Sequence, residues 1–89
     1  MTIVALSGYP EAVLGRSSII VPLPPDAVLS DAVAAVAARH SALGPALLHA
    51  NFQPRRSTKA LLNGAMADLD TAIPVGASVT VLATLPCDG

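Results

Sequence analysis

The chain closes on "LATLPCDG", residues 82–89, and the groups best suited to chemistry stand at its end. A C-terminal glycine offers the least hindered acyl group a polypeptide has, and it takes up backbone angles that other residues resist. Gly89 is therefore either a working acyl donor or an accident of composition. Asp88 sets a side chain and a negative charge beside that carboxylate. Cys87 admits three readings: an ordinary exposed thiol, an acceptor in an intermolecular disulfide or persulfide, or a nucleophile. The last has no base near it in the sequence.

Away from the tail the candidates are few. His40 and His49 are the two histidines, and neither has a carboxylate or cysteine at ligand spacing, so no metal site is expected. Cys87 is the single cysteine, which excludes an internal disulfide and a cysteine-rich zinc or iron–sulfur site. Asp68 and Asp70 could pass for paired carboxylates. Arg55, Arg56 and Lys59 form the one basic cluster. It is either a solvated loop or a docking patch for an acidic groove or a partner's substrate.

Composition narrows the function classes. Five basic against six acidic residues, net charge −1, cannot make a face that holds nucleic acid by neutralising phosphates. The 89 residues suit one domain, near the lower end of what folds without staples. Much of the 53 % hydrophobic content is alanine, and only Tyr9 and Phe52 are aromatic, so the core must be built from Val, Ile and Leu. The apolar residues 2–6 lack a basic stretch before them, as a signal peptide would need. The longest unbroken apolar run, residues 32–38, falls far short of the roughly 20 residues that cross a bilayer. A cytoplasmic domain without membrane or nucleic-acid partners is the expectation.

The elements that must position these groups can be read from periodicity. "TIVAL" (residues 2–6) barely alternates and reads as a strand buried on both faces. "SSIIVPL" (17–23) is a second strand, and Pro22, which has no N–H to donate, means that it is an edge or ends there. "GYPEAVLGR" between them suits a hairpin-like loop with a helical turn. "VLSDAVAAVAARHSALG" (28–44) is a helix with Leu29, Val33, Val36, Ala37 and His40 on one face. Ser30 reads as its N-cap, Asp31 lies in its first turn, and Arg39 and His40 in its last, before Gly44-Pro45 stops it. Pro45 opens a short second helix through His49, and residues 53–58 read as an exposed loop. "KALLNG" (59–64) is a strand running into Asn-Gly, a strong hairpin signal. Met66 and Leu69 follow as buried anchors, Pro74 and Gly76 as a turn, and "SVTVLATL" (78–85) as the last strand. Leu61, Val79 and Val81 are assigned to the core.

This order buries its apolar faces economically as an α+β protein: a mixed sheet of four to five strands packed on one main helix, with the first and last strands adjacent in the middle. That is a β-grasp, the ubiquitin-like architecture. Residues 1–85 form the single domain and residues 86–89 a flexible tail.

The second half, "LLNGAMADLDTAIPVGASVTVLATLPCDG", resembles the MoaD/ThiS-type sulfur carriers. Asn63-Gly64 matches their turn, residues 68–71 their apolar-acidic link, residues 79–82 their last strand, and Pro86 with Gly89 their apolar-Pro-x-x-Gly-Gly tail. The upstream "LPPDAVLSDAVAAVAARHSALGPALL" is similar as well. The length and the segment after the main helix look closest to the small subunit of molybdopterin synthase. Two positions depart from the pattern. Asp88 replaces the penultimate glycine, and Val28 stands where a threonine is common near the helix start. Within this family the place of Asp68 and Asp70 implies a turn-stabilising role.

The resemblance implies a carrier rather than an enzyme. An adenylating, E1-like partner would use ATP to activate Gly89, sulfur would replace the adenylate, and the thiocarboxylate would donate sulfur in a synthase subunit. No cofactor is expected on the carrier itself. Pro86, Cys87 and Asp88 would thread the partner's tunnel. Arg55, Arg56, Lys59 and Leu85, with apolar side chains on the outer sheet face, would dock the body. The alternative is a ubiquitin-like binding or regulatory subunit that kept the fold and lost the thiocarboxylate chemistry, because two anions in a dry tunnel repel.

Overall fold

A computed structural model describes residues 2–51 and 53–84. The elements run β1 (Thr2–Gly8), α1 (Tyr9–Leu14), β2 (Ser18–Val21), α2 (Leu29–Ala37), α3 (Leu43–Leu47), β3 (Thr58–Leu62), β4 (Ala65–Ala67) and β5 (Val79–Ala83). The five strands form one sheet in the order β2-β1-β5-β3-β4. The first and last strands are neighbours at its centre and run parallel, while the other pairings are antiparallel. The β-grasp expected from element order is the fold. β2 is an edge strand and ends at Val21, just before Pro22, so both alternatives left open for it hold.

One face of the sheet carries the core. Val4, Leu6, Ile19, Val21, Ala60, Val79, Val81 and Ala83 alternate onto it and pack against Leu29, Val33, Val36, Leu43 and Leu47. The alternation corrects one expectation: β1 is buried on one face only. Ile3 is 63 % exposed and its cross-strand partner Ile20 is 53 % exposed, because the helices pack on the opposite face. Met66 is likewise not a buried anchor but 64 % exposed; it sits on the three-residue edge strand β4, opposite Leu61. Leu61 is half-buried on the same outer face, whereas Val79 and Val81 are core. Leu69 packs against the core's margin, as expected.

Asn63-Gly64 forms the tight hairpin between β3 and β4. Both residues take positive φ (54° and 84°), the requirement of a two-residue turn whose twist matches the strands. Asn63 does more than turn the chain. Its N–H donates to the Ser78 carbonyl at 2.7 Å and its Oδ1 accepts from the Ser78 N–H at 2.9 Å, which pins the entry to β5.

α2 is shorter than its periodicity suggested. It ends at Ala37, and the Leu43 N–H bonds the His40 carbonyl at 3.0 Å to start the next turn, so that Leu43 and Leu47 reach the core. Arg39 and His40 therefore lie beyond the helix. The Arg39 guanidinium donates to the Ile20 carbonyl, and His40 is exposed rather than on the apolar face. The helix start also differs: the N-cap is Val28, not Ser30. The Asp31 carboxylate accepts the Val28 N–H at 2.9 Å, while the carbonyls of Thr71 and Leu69 accept the N–H groups of Leu29 and Ser30 at 3.0 and 2.8 Å. Tertiary carbonyls thus satisfy donors that a side-chain cap would otherwise take.

This is one half of a capping box, since valine has no oxygen to return the bond. Val28 has extended backbone angles (φ −110°, ψ 171°), which suit a capping threonine. Val28→Thr is expected to raise stability by about 1 kcal/mol, a gain of about 4–8 °C in Tm. An unchanged or lowered Tm by calorimetry would show that the half-buried methyl matters more than the missing acceptor.

Candidate functional site

β5, the last described strand, ends at the centre of the sheet, the root from which the tail continues in sequence. β5 lies between β1 and β3, and its last residue, Ala83, pairs with Gly8 on one side and Thr58 on the other. Ala83 and Thr58 are each 1 % exposed. The Thr58 hydroxyl, the one buried polar side chain among the described residues, donates to the Leu47 carbonyl at 3.0 Å, so the root is also tied to α3. Leu85, Pro86, Cys87, Asp88 and Gly89 lie outside the described residues, as does the expected flexible tail of residues 86–89.

The outer face of the sheet is open and runs up to this root. Strand register sets its rows: Ile3 beside Ile20, then Ala5, Thr80, Leu61 and Met66, then Ser7, Leu82 and Lys59. Apolar groups dominate, and Lys59 closes the row nearest Ala83.

The three cations of the basic cluster do not act alike. Lys59 and Arg56 are exposed. Arg55 is half-buried, and its Nε donates to the carbonyls of Pro45 at 2.6 Å and Leu48 at 3.2 Å. Its backbone N–H bonds the Leu47 carbonyl at 2.9 Å. Arg55 thus closes off the C-terminal carbonyls of α3, where a cation complements the helix dipole. Residues 53–58 are consequently held against α3 more closely than an exposed loop would be.

The remaining candidates are separate from this site. His40 Nδ1 accepts the Ala42 N–H at 3.0 Å, and His49 is exposed beside the Leu48–Pro54 bridge. Among the described residues no group of three or more His, Cys, Asp or Glu could hold a metal ion. Asp68 and Asp70 are exposed; the turn there is closed by the Asp68 carbonyl, which accepts the Thr71 N–H at 3.0 Å. An open cleft of about 560 Å³, lined by Thr2, Leu23, Ile73, Val75 and Ser78 among others, lies at the N-terminal ends of β1 and β5, away from Ala83. No described residue lining it is titratable. No helix among the described residues is long and apolar enough to cross a membrane.

Neither a protein-family model nor a curated protein matches the sequence. Solved structures do match the fold. SAMP1 from Haloferax volcanii superposes with a TM-score of 0.80 at 22 % identity, over 96 % of each chain. A protein described as molybdopterin converting factor subunit 1 from Pyrococcus furiosus gives 0.72 at 17 % identity, covering 94 % of this chain and 97 % of that one. A chain from the BexX/CysO complex of Amycolatopsis orientalis gives 0.68 at 16 % identity, covering 96 % and 97 %.

The fold is the ubiquitin-like β-grasp.

The three are matched nearly end to end. In this fold β5 is the central strand, and the outer sheet face lies beside its end. Lys59, named from the sequence as a docking residue, is exposed on the outer face beside its apolar side chains. Sequence reasoning missed Gly8 and Thr58 at the tail root, because a lone glycine and a lone threonine have no periodicity to betray them.

Proposed function

We propose that this chain is a sulfur carrier, acting as the small subunit of a molybdopterin-synthase-like system in the cytoplasm. The observation that carries the proposal is the central strand: β5 feeds directly into "LPCDG", which ends on Gly89, on a fold shared with carrier proteins. An adenylating partner binds the outer face through Leu61, Met66 and Lys59. The Gly89 carboxylate oxygen then attacks the α-phosphorus of ATP, releasing pyrophosphate and leaving an acyl adenylate. Hydrosulfide then attacks the acyl carbon, displaces AMP and gives the thiocarboxylate. In the sulfur-accepting synthase subunit that sulfur attacks the substrate, and hydrolysis returns the Gly89 carboxylate. The carrier contributes delivery: a rigid body docked on the partner raises the effective concentration of the tail.

Asp88 supports a second reading, in which the chain is a non-catalytic binding subunit. Its carboxylate would approach the ATP phosphates alongside the reacting group, and like charges repel strongly where water is excluded.

Intact mass of the protein from its own cells, under non-reducing and thiol-free conditions, separates the two. Oxygen-to-sulfur exchange localised to Gly89 is the expected result. An adduct on Cys87 would move the chemistry to the thiol. A tail left unmodified after incubation with ATP, sulfide and the adenylating enzymes of the same cell would favour the binding subunit. Asp88→Gly is expected to raise kcat/KM for adenylation on the order of tenfold, by removing an anion from the path. An unchanged rate would show that the partner already neutralises Asp88.

A further inference from the structure

We infer that Gly8 is a positioning residue for the tail: because it lacks a side chain, the end of β5 closes against β1, and this contact sets where residues 84–89 leave the body. The functional consequence rests on the carrier role proposed above. The geometry does not.

Gly8 ends β1 in parallel register with Ala83, the last residue of β5. Its backbone (φ 74°, ψ −132°) lies where residues with a Cβ are rarely found. A Cβ built there would overlap the Ala83 carbonyl oxygen and come within 3.2 Å of its carbonyl carbon. Gly15, Gly64 and Gly76 also take positive φ, yet a Cβ at any of them would meet nothing within 4 Å. Those three need glycine for a turn; only Gly8 also needs it for close approach. Pro10, fully buried, and the rest of α1 hold the chain just after Gly8 against β1 and β5. On its other side Ala83 meets Thr58, itself anchored to the Leu47 carbonyl. Backbone therefore flanks Ala83 on both sides, and neither side can retreat. A side chain at residue 8 must displace the end of β5, from which the tail continues in sequence.

The single cysteine supplies the probe, since a nitroxide on Cys87 reports where the tail lies without any partner. With a second label at Ser41→Cys, an exposed turn position, electron-electron distance distributions are compared between the chain with native Gly8 and the Gly8→Ala variant. The variant is expected to shift or broaden the distribution. In unlabelled protein, its kcat/KM for adenylation of Gly89 is expected to fall about 100-fold, the scale of an ångström-level misplacement of a reacting group. Val36→Ala, a core truncation in α2, serves as the stability control and is expected to lower Tm while leaving the distribution and kcat/KM within about threefold of wild type. An unchanged distance distribution in Gly8→Ala overturns the inference, as does a loss of kcat/KM that Val36→Ala reproduces at equal loss of Tm. A shifted distribution together with a wild type that is never adenylated keeps the positioning role and counts against the carrier function. Should Gly8→Ala fail to fold, amide exchange in the wild type decides. The Ala83 amide is expected to exchange within about tenfold of Val81, and exchange as fast as an unstructured amide would overturn the clamp.

Discussion

Removing Gly89 is expected to abolish sulfur loading, with adenylation falling on the order of 1000-fold, and to leave Tm within about 3 °C of wild type. The chain would end on Asp88, about 3.5 Å short of the reacting position. That shortfall is comparable to the whole contact distance between reacting atoms. Asp88 would also present its α-carboxylate beside a side chain and a second charge. The fold has no stake in the change, because the described sheet closes at Ala83, well before the tail. Pyrophosphate exchange and calorimetry on the same sample test both halves. Partner affinity measured alongside should stay close to wild type, since Ile3, Ile20, Met66 and Lys59 remain on the outer face. Sulfur loading that survives the deletion would place the chemistry on Cys87.

Leu47→Ala is expected to cost about 3 kcal/mol, which lowers Tm by about 12–24 °C in a domain of this size. Leu47 is fully buried, and its carbonyl receives both the Thr58 hydroxyl at 3.0 Å and the Arg55 N–H at 2.9 Å. One residue therefore fills the core beneath α3 and anchors the strand that flanks the tail root. Truncation leaves a cavity that this backbone network cannot easily collapse. Leu82→Ala removes the same atoms from the half-buried outer face and should cost less than about 1 kcal/mol. Denaturant unfolding of the two variants makes the comparison. Equal losses would show that the outer face is as tightly packed as the core, and a small loss at Leu47 would mean that α3 is not docked as described. Shifted amide signals at Thr58 and Ala83 in Leu47→Ala would trace the link from α3 to the tail root.

Much of this organisation was legible before any coordinates. Asn63-Gly64 has one economical use between two apolar runs, and it makes that turn. Pro22 cannot donate to a ladder from the interior of a sheet, and β2 is an edge. The helix face of Leu29, Val33 and Val36 has a spacing that strands cannot use, and it is buried throughout. The failures are equally physical. Ile3, Ile20 and Met66 are as apolar as core residues, and local pattern cannot say that no described element covers them. Ser30 is a good capping residue by type. It lost that place because the carbonyls of Leu69 and Thr71, distant in sequence, arrived at the helix start and moved the cap to Val28.

Sequence by itself determined the element order, the position of the hairpin, the apolar faces and the presence of a glycine at the end of the last strand's extension. Each follows from properties local to a few residues: φ allowed or forbidden, a donor present or absent, a period of two or of three and a half. Tertiary structure alone decided that β5 lies between β1 and β3, that Gly8 meets the Ala83 carbonyl, that Thr58 is held by Leu47, and that Arg55 serves α3 while Lys59 stays free on the outer face. These are contacts between segments far apart in the chain. They depend on how twisted strands and short helices fill one volume, and no window of sequence contains both partners.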